Sequence, residues 1–93
     1  MEKVICTAIE RRLILQFSYK GVTSAVEPHA LGYSKSDKLT LCAWQLSGGS
    51  GVGWRDYIVS EMISLSTASE HFDTPRPDYH RNDTTMTQIL CQL

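Results

Sequence analysis

Two strand-like segments of the chain carry side chains that are suited to binding a small molecule. In residues 39–45 the side chains alternate strictly, which places Thr40 and Trp44 on one face of a strand. An indole on such a face can be a platform on which a base stacks. The planar guanidinium of Arg55, on the next strand, could bind an anion beside it. Four residues are therefore candidate ligand contacts: Thr40, Trp44, Arg55 and His29.

His29 follows a proline in the middle of an otherwise strand-like stretch. Pro28 cannot donate a hydrogen bond to a sheet ladder, so the stretch is expected to be a bent edge strand rather than a regular central one. A bend re-aims the neighbouring side chains. It could bring Glu27 or His29 to the rim of a pocket.

The same residues also fit a second class of function, an interaction or assembly domain without a small-molecule ligand. An exposed tryptophan on a strand commonly packs under a loop or against a partner, and Arg55 could be an ordinary solvated arginine. The apolar residues near the carboxyl terminus add to this surface. The candidate interface residues are Trp44, Trp54, Tyr79, Ile89 and Leu90.

Metal binding and catalysis find little support in the residue spacing. His29, His71 and His80 are far apart, and none has a cysteine or carboxylate at the spacing of a metal site. No strand–turn–helix nucleophile motif is present. We expect no metal, no cofactor and no enzymatic activity.

The three cysteines are an odd number and lie far apart in the sequence. Cys6, Cys42 and Cys91 form neither the close pairs of a zinc site nor the even set of a disulfide framework. We expect them to be buried thiols that behave as small hydrophobic side chains.

Length and composition indicate one globular domain. The chain has 93 residues, 42% of them hydrophobic and 20% charged, with a formal net charge of −1. This charge predicts weak binding to duplex DNA, because non-specific affinity depends on neutralising phosphates. The sequence contains no apolar run of membrane-spanning length and no secretory signal pattern, so a cytoplasmic location is expected.

The pattern predicts one helix, five strands and a tail. Ile5, Ala8 and Ile9 are spaced as on one face of a helix over residues 2–12. The strands are expected over residues 13–19, 22–33, 39–45, 54–59 and 62–67. The predicted core is Ile5, Ala8, Ile9, Leu15, Phe17, Val26, Leu31, Leu39, Leu41, Ala43, Tyr57, Val59, Met62 and Leu65.

These elements predict a mainly β fold, a small SH3-like or Sm-like five-stranded barrel with an N-terminal helix. The barrel domain is expected over residues 1–72, with an extended tail over residues 73–93 that includes a possible short helix capped by Asp83 or Thr84. Pro75 and Pro77 stiffen the tail where it leaves the barrel. Its apolar residues are therefore expected to reach across to a second copy and form a homodimer.

The order of segments resembles the WYL domain. The segments are AIERRLILQFSYKG, VEPHALGYSKSDKLTLCAWQ and WRDYIVSEMISLS, followed by EHF, and they run from about residue 5 to residue 72. The PRP.Y tail is similar to that of short, stand-alone members of this family. The name-giving triplet aligns with Leu39-Thr40-Leu41.

The resemblance implies an Sm-like barrel that senses ligands in bacterial regulators. Nucleotide or nucleic acid ligands and homodimerisation are implied with it. A chain of this length has no room for the helix-turn-helix of a full-length WYL transcription regulator. The expected function is therefore that of a non-catalytic ligand-binding or regulatory module, sensing a nucleotide or another small ligand.

Overall fold

A computed structural model describes residues 1–93, the whole of the sequence given. It consists of one α-helix, six strands and a short 3-10 turn. The elements are α1 (Glu2–Arg11), β1 (Leu13–Tyr19), β2 (Val22–Ser34), β3 (Leu39–Ser47), β4 (Gly53–Ile58), the 3-10 turn Val59–Glu61, β5 (Met62–His71) and β6 (Met86–Gln92).

The helix ends where the backbone turns left-handed. Arg12 has φ 54 and ψ 45, and its N–H group bonds back to the carbonyls of Ala8 and Ile9, so the last turn is closed before β1 starts. The helix buries the stripe containing Ile5 and Ile9 against the sheet and keeps its charged side chains outside. The predicted N-terminal helix is confirmed.

The strands form one antiparallel sheet. Its order is β4-β3-β2-β1-β5, and β6 pairs with β2. The β1–β2 turn is Lys20-Gly21, both with positive φ, as a tight two-residue hairpin requires. The mainly β fold is confirmed, but β4 and β5 are the two ends of the order and do not pair, so closure into a barrel is not found.

One hydrophobic cluster lies between the helix and the inner face of the sheet. Leu41 is fully buried and Phe17 is 2% exposed, so the strand registers predicted from alternation are confirmed. The rings of Phe17, Tyr19 and Tyr57 pack edge to face within this cluster. Twelve of the predicted core residues form it, whereas Leu39 and Leu65 pack against it and are only partly buried.

The predicted helix near the carboxyl terminus is wrong. Residues 86–92 form strand β6, which runs along the part of the β2 edge that β1 leaves free, for example with Gly32 opposite Ile89. A helix would leave that stretch of β2 backbone without partners, whereas β6 completes the ladder. The tail therefore contributes the sixth strand of the same sheet.

The expectation that Cys6 and Cys91 are free thiols is also wrong. The two residues form a disulfide between α1 and the end of β6, and only Cys42 is free. Because the bond joins residues 85 positions apart, the loop-entropy estimate of its stabilisation is roughly 4 to 5 kcal/mol. Such bonds are typical of oxidising compartments, which weighs against the cytoplasmic location predicted from the sequence.

The structure contains no helix with the length and apolar character that a membrane crossing requires.

Candidate binding face

The outer face of β2, β3 and β4 carries a row of three large side chains. The ladder pairs Glu27 with Trp44 and Trp44 with Trp54, so all three point to the same side of the sheet. The β2–β3 register shifts between Pro28 and Ala30. This bulge lies at the proline, which has no N–H group to donate. His29 shares the face of Glu27 because side chains two positions apart point to the same side of a strand, and the extra residue then returns Leu31 to the core.

The segment that follows β5 folds back over this row. The Arg76 guanidinium donates two hydrogen bonds to the Glu27 carboxylate, at 2.8 Å from Nε and 3.0 Å from Nη2. It also lies over the Trp44 ring, 4.7 Å from the ring centre. The Glu27 side chain is only 9% exposed, so a nearly buried charge is neutralised by one bidentate contact.

His29 is the centre of the contacts between sheet and tail. It is fully buried, its Nδ1 bonds the Glu27 carbonyl at 2.8 Å, and its Nε2 accepts the Arg76 backbone N–H at 3.1 Å. These partners assign the proton of a neutral ring to Nδ1. Burial lowers the pKa of His29 below its ordinary value, so the neutral form is favoured.

Aromatic rings surround the imidazole on several sides. Phe72 stacks on it at a centroid distance of 5.6 Å, and Trp54 and Tyr79 meet it edge to face at 4.8 and 5.0 Å. Trp54 donates from its indole Nε1 to the Asp78 carboxylate at 2.8 Å. Residues 76–79 are thus anchored to the sheet through three different kinds of contact.

An open cleft lies beside this cluster, between the sheet and residues 78–84. Its volume is about 480 Å³, and its walls include Trp54, Tyr79, Asp83 and Thr84. Cys42 is also one of its lining residues. Burial, together with the nearby Asp56 and Asp83 carboxylates, raises the pKa of this thiol to about 12, so it stays protonated and a weak nucleophile.

The structure brings some of the predicted ligand contacts together and separates others. His29 and Trp44 lie on the same face, but the tail covers them. Thr40 is buried and its hydroxyl donates to the Lys38 carbonyl at 2.9 Å. Arg55 pairs with Ala43 and faces the opposite side of the sheet from Trp44.

The hydrogen bonds of Arg55 go to the loop between β3 and β4, and not to an open site where a ligand could bind. Its guanidinium donates to Ser50 Oγ and the Trp54 carbonyl, both at 2.6 Å, and to the Ser50 and Gly51 carbonyls at 3.0 and 3.3 Å. These bonds close the loop between β3 and β4. The arginine therefore stabilises a turn.

The predicted interface residues lie where the tail meets the sheet of its own chain. Trp44, Trp54 and Tyr79 are partly buried in the aromatic cluster, and Ile89 and Leu90 are partly buried in β6. The expectation that Pro75 and Pro77 make folding back harder than reaching away is not met. The two prolines flank Arg76 and keep it extended against the face.

Sequence reasoning missed the roles of Arg76 and Asp78. The residues around Glu27 contain no signal that connects it with an arginine 49 positions away. The sequence feature that could have indicated this contact is an acidic residue inside an apolar strand. A carboxylate buried there requires a partner from elsewhere in the chain.

Comparison of the chain with protein-family models, with curated proteins and with solved structures finds no match.

Proposed function

We propose that the protein is a non-catalytic ligand-binding module of the WYL type, built on an Sm-like, partly open barrel. Three features of the fold support this proposal. They are the strand order, the long β2 that pairs along both edges and bends at a bulge, and the 3-10 turn between β4 and β5. The leading helix and the segment order described above support the family assignment.

The observation that carries the proposal is the open cleft beside Trp54 and Tyr79. Its volume of about 480 Å³ lies within the range of roughly 300 to 1,000 Å³ that is usual for small-molecule sites. Aromatic walls with a few hydrogen-bonding groups suit a flat, polar heterocycle. Stacking on such a ring contributes about 1 to 3 kcal/mol per base.

The charged side chains that line the cleft indicate which class of ligand fits it. Asp78 and Asp83 line the cleft together with Arg81, whose Nε already donates to the Leu93 carbonyl at 2.7 Å. Two carboxylates favour hydrogen-bond donors and disfavour a phosphate. We therefore expect a nucleoside, or a similar heteroaromatic compound, to bind more tightly than its phosphorylated form.

A thermal-shift screen tests this function directly. Purines, pyrimidines, their nucleosides and the matching nucleotides are added to the oxidised chain, and hits are measured by calorimetry. A ligand at about 100 times its dissociation constant adds roughly 2.7 kcal/mol of stability, a readily measured shift. The absence of any shift across the nucleosides and bases contradicts the proposal.

A matched pair of variants locates the site. Thr84→Phe places a ring in the cleft from an exposed loop position and should abolish binding. Thr23→Phe makes the same change at an exposed position of β2 that does not line the cleft, and binding should be unchanged. Equal affinity of the two variants would remove the cleft from consideration.

A further inference from the structure

The tail is held on the sheet in the way in which proteins bind separate peptides. The backbone hydrogen bonds of residues 73–85 are local, such as Tyr79 N–H to the Arg76 carbonyl at 2.9 Å. Residues 76–79 are attached to the sheet by side chains and by the Arg76 N–H group. β6 then adds to the free edge of β2, as in recognition by strand addition.

The face requires a guanidinium group. The Glu27 carboxylate is nearly buried, accepts two parallel hydrogen bonds, and has the Trp44 ring beside it to cover the flat side of the cation. The imidazole Nε2 of His29 accepts the backbone N–H of the same residue. A single arginine in an extended segment contacts the carboxylate, the indole ring and the imidazole together.

We propose that this face is a recognition site for an arginine flanked by prolines, and that two copies of the chain exchange their tails through it. In the exchanged dimer, Arg76 of each chain pairs with Glu27 of the other, and each β6 adds to the other chain's β2. The arginine site, formed by Glu27, Trp44 and His29, is distinct from the nucleoside cleft of the proposed function. The two are neighbours, because Trp54, Asp78 and Tyr79 line the cleft and also hold the tail.

The tail itself is the occupant whose chemistry is present in the molecule. All the contacts that anchor it join residues after 73 to residues before 73, so they can form between two chains without change. Asp73 and Thr74 are exposed, and Pro75 and Pro77 keep the following segment extended. Once the Cys6–Cys91 bond is reduced, the segment can therefore swing about residues 73–74 with β6, while β1 to β5 stay paired.

Concentration decides between the closed monomer and the exchanged dimer. A tail joined to its own sheet competes at a high effective concentration, in the millimolar range for short flexible connections. The disulfide between Cys6 and Cys91 also retains the end of β6. Exchange is therefore expected on refolding at high chain concentration under reducing conditions, and oxidation then traps it as an interchain bond.

Disulfide trapping tests the exchange. One chain carries Cys6→Ser and supplies its tail with Cys91; the other carries Cys91→Ser and supplies its helix with Cys6. Both carry Cys42→Ser, so that the free thiol cannot contribute. The two are mixed in reductant, refolded, oxidised and run on non-reducing gels, with each variant alone as background. We expect a covalent dimer only in the mixture. A yield of covalent dimer in the mixture that is no higher than with either variant alone overturns the proposal.

Splitting a charge reversal between the two chains tests the role of the arginine, because a change at Arg76 alone weakens the closed and the exchanged forms alike. The chain that donates Cys91 carries Arg76→Glu, and the chain that donates Cys6 carries Glu27→Arg. Each closed monomer then places like charges together, whereas exchange restores both opposite-charge pairs, so the yield of covalent dimer should rise by about tenfold or more. Placing both changes in one chain is the matched control: the closed forms are then paired and the exchanged forms are not, so the yield should fall. Equal yields from the two arrangements refute the role of Arg76.

Discussion

At the scale of single residues, His29 joins the sheet to the tail, and it does so as a neutral imidazole. Its Nδ1 bonds the Glu27 carbonyl, and its Nε2 needs an unprotonated lone pair to accept the Arg76 N–H. A proton at Nε2 would place two donors against each other within a buried aromatic cluster. Protonation of this single ring is therefore expected to loosen the tail.

Acidification should destabilise the protein through His29. Because burial lowers the pKa of His29 in the folded state, the unfolded chain binds the proton more readily. The stabilisation is complete above the unfolded pKa of about 6.5 and is lost as pH falls through the folded pKa, by no more than about 1.4 kcal/mol per pH unit. Urea unfolding at pH 7.5 and 5.5 measures this loss.

Two glutamine variants isolate the contribution of this ring. His29→Gln keeps a donor and an acceptor but does not titrate, so its stability should change less between the two pH values. His71→Gln, at an exposed strand end, should behave as the wild type does. Other groups also titrate; burial, for example, raises the pKa of Asp56. Their contributions to the pH dependence are the same in all three chains and cancel when the chains are compared. Identical pH dependence in the His29 variant and the wild type would contradict the assignment.

At the scale of elements, β6 docks on β2 because Gly32 leaves room for it. A Cβ atom at residue 32 would lie 2.9 Å from the sulfur of Met86 and 3.0 Å from the Cα of Ile89. Real Cβ atoms do not approach other atoms so closely, and the Cα lies on the crossing backbone. The absent side chain therefore sets the distance between the two strands.

Gly32→Ala should displace β6 and lower stability by about 1 to 3 kcal/mol, the usual cost of forcing an extra carbon into a packed site. Gly49→Ala is the matched control, because its added carbon would meet only Val22 at ordinary distances of 3.7 to 3.9 Å. Denaturant unfolding gives the stabilities, and amide exchange reports the protection of β6. Equal stability of the two variants would mean that the β2–β6 contact is looser than the structure has it.

The strands that alternate in sequence were predictable, and the tail was not. Leu41, Ala43 and Phe17 fall on the inner face because a period of two leaves one register that buries them. Met86, Ile89 and Leu90 have helical spacing, yet they form a strand because an unpaired edge of β2 is available. That edge is a property of the assembled sheet and has no local signature.

The candidate site was predicted in the same uneven way. Trp44 and His29 were each candidate ligand contacts, and the structure places both on one face. The pairing of Glu27 with Arg76 and of Cys6 with Cys91 joins distant parts of the chain. Arg55 was assigned to the wrong side because Trp54, not Arg55, lies opposite Trp44. Contacts across 49 or 85 positions depend on topology that spacing alone does not provide.

At the scale of the whole molecule, the basic residues do not outnumber the acidic ones. The sequence has nine lysines and arginines against ten acidic residues. Arg76 is paired with Glu27, and Arg55 donates to the loop that it closes. The cations are therefore not in excess over the carboxylates, and the molecule as a whole does not attract a polyanion.

Duplex DNA should therefore bind weakly, with a dissociation constant no tighter than roughly 10⁻⁴ to 10⁻⁶ M at physiological salt, the range of non-specific contacts. Anisotropy of a labelled duplex, titrated with the oxidised chain at several salt concentrations, measures both affinity and the number of phosphates contacted. A variant that replaces the exposed Glu61 and Glu70 by lysine changes the net charge from −1 to +3 and should bind more tightly with a steeper salt dependence. The matching replacement by glutamine changes it only to +1 and should lie between the two. Nanomolar binding by the wild type would show that the placement of its cations outweighs the net charge.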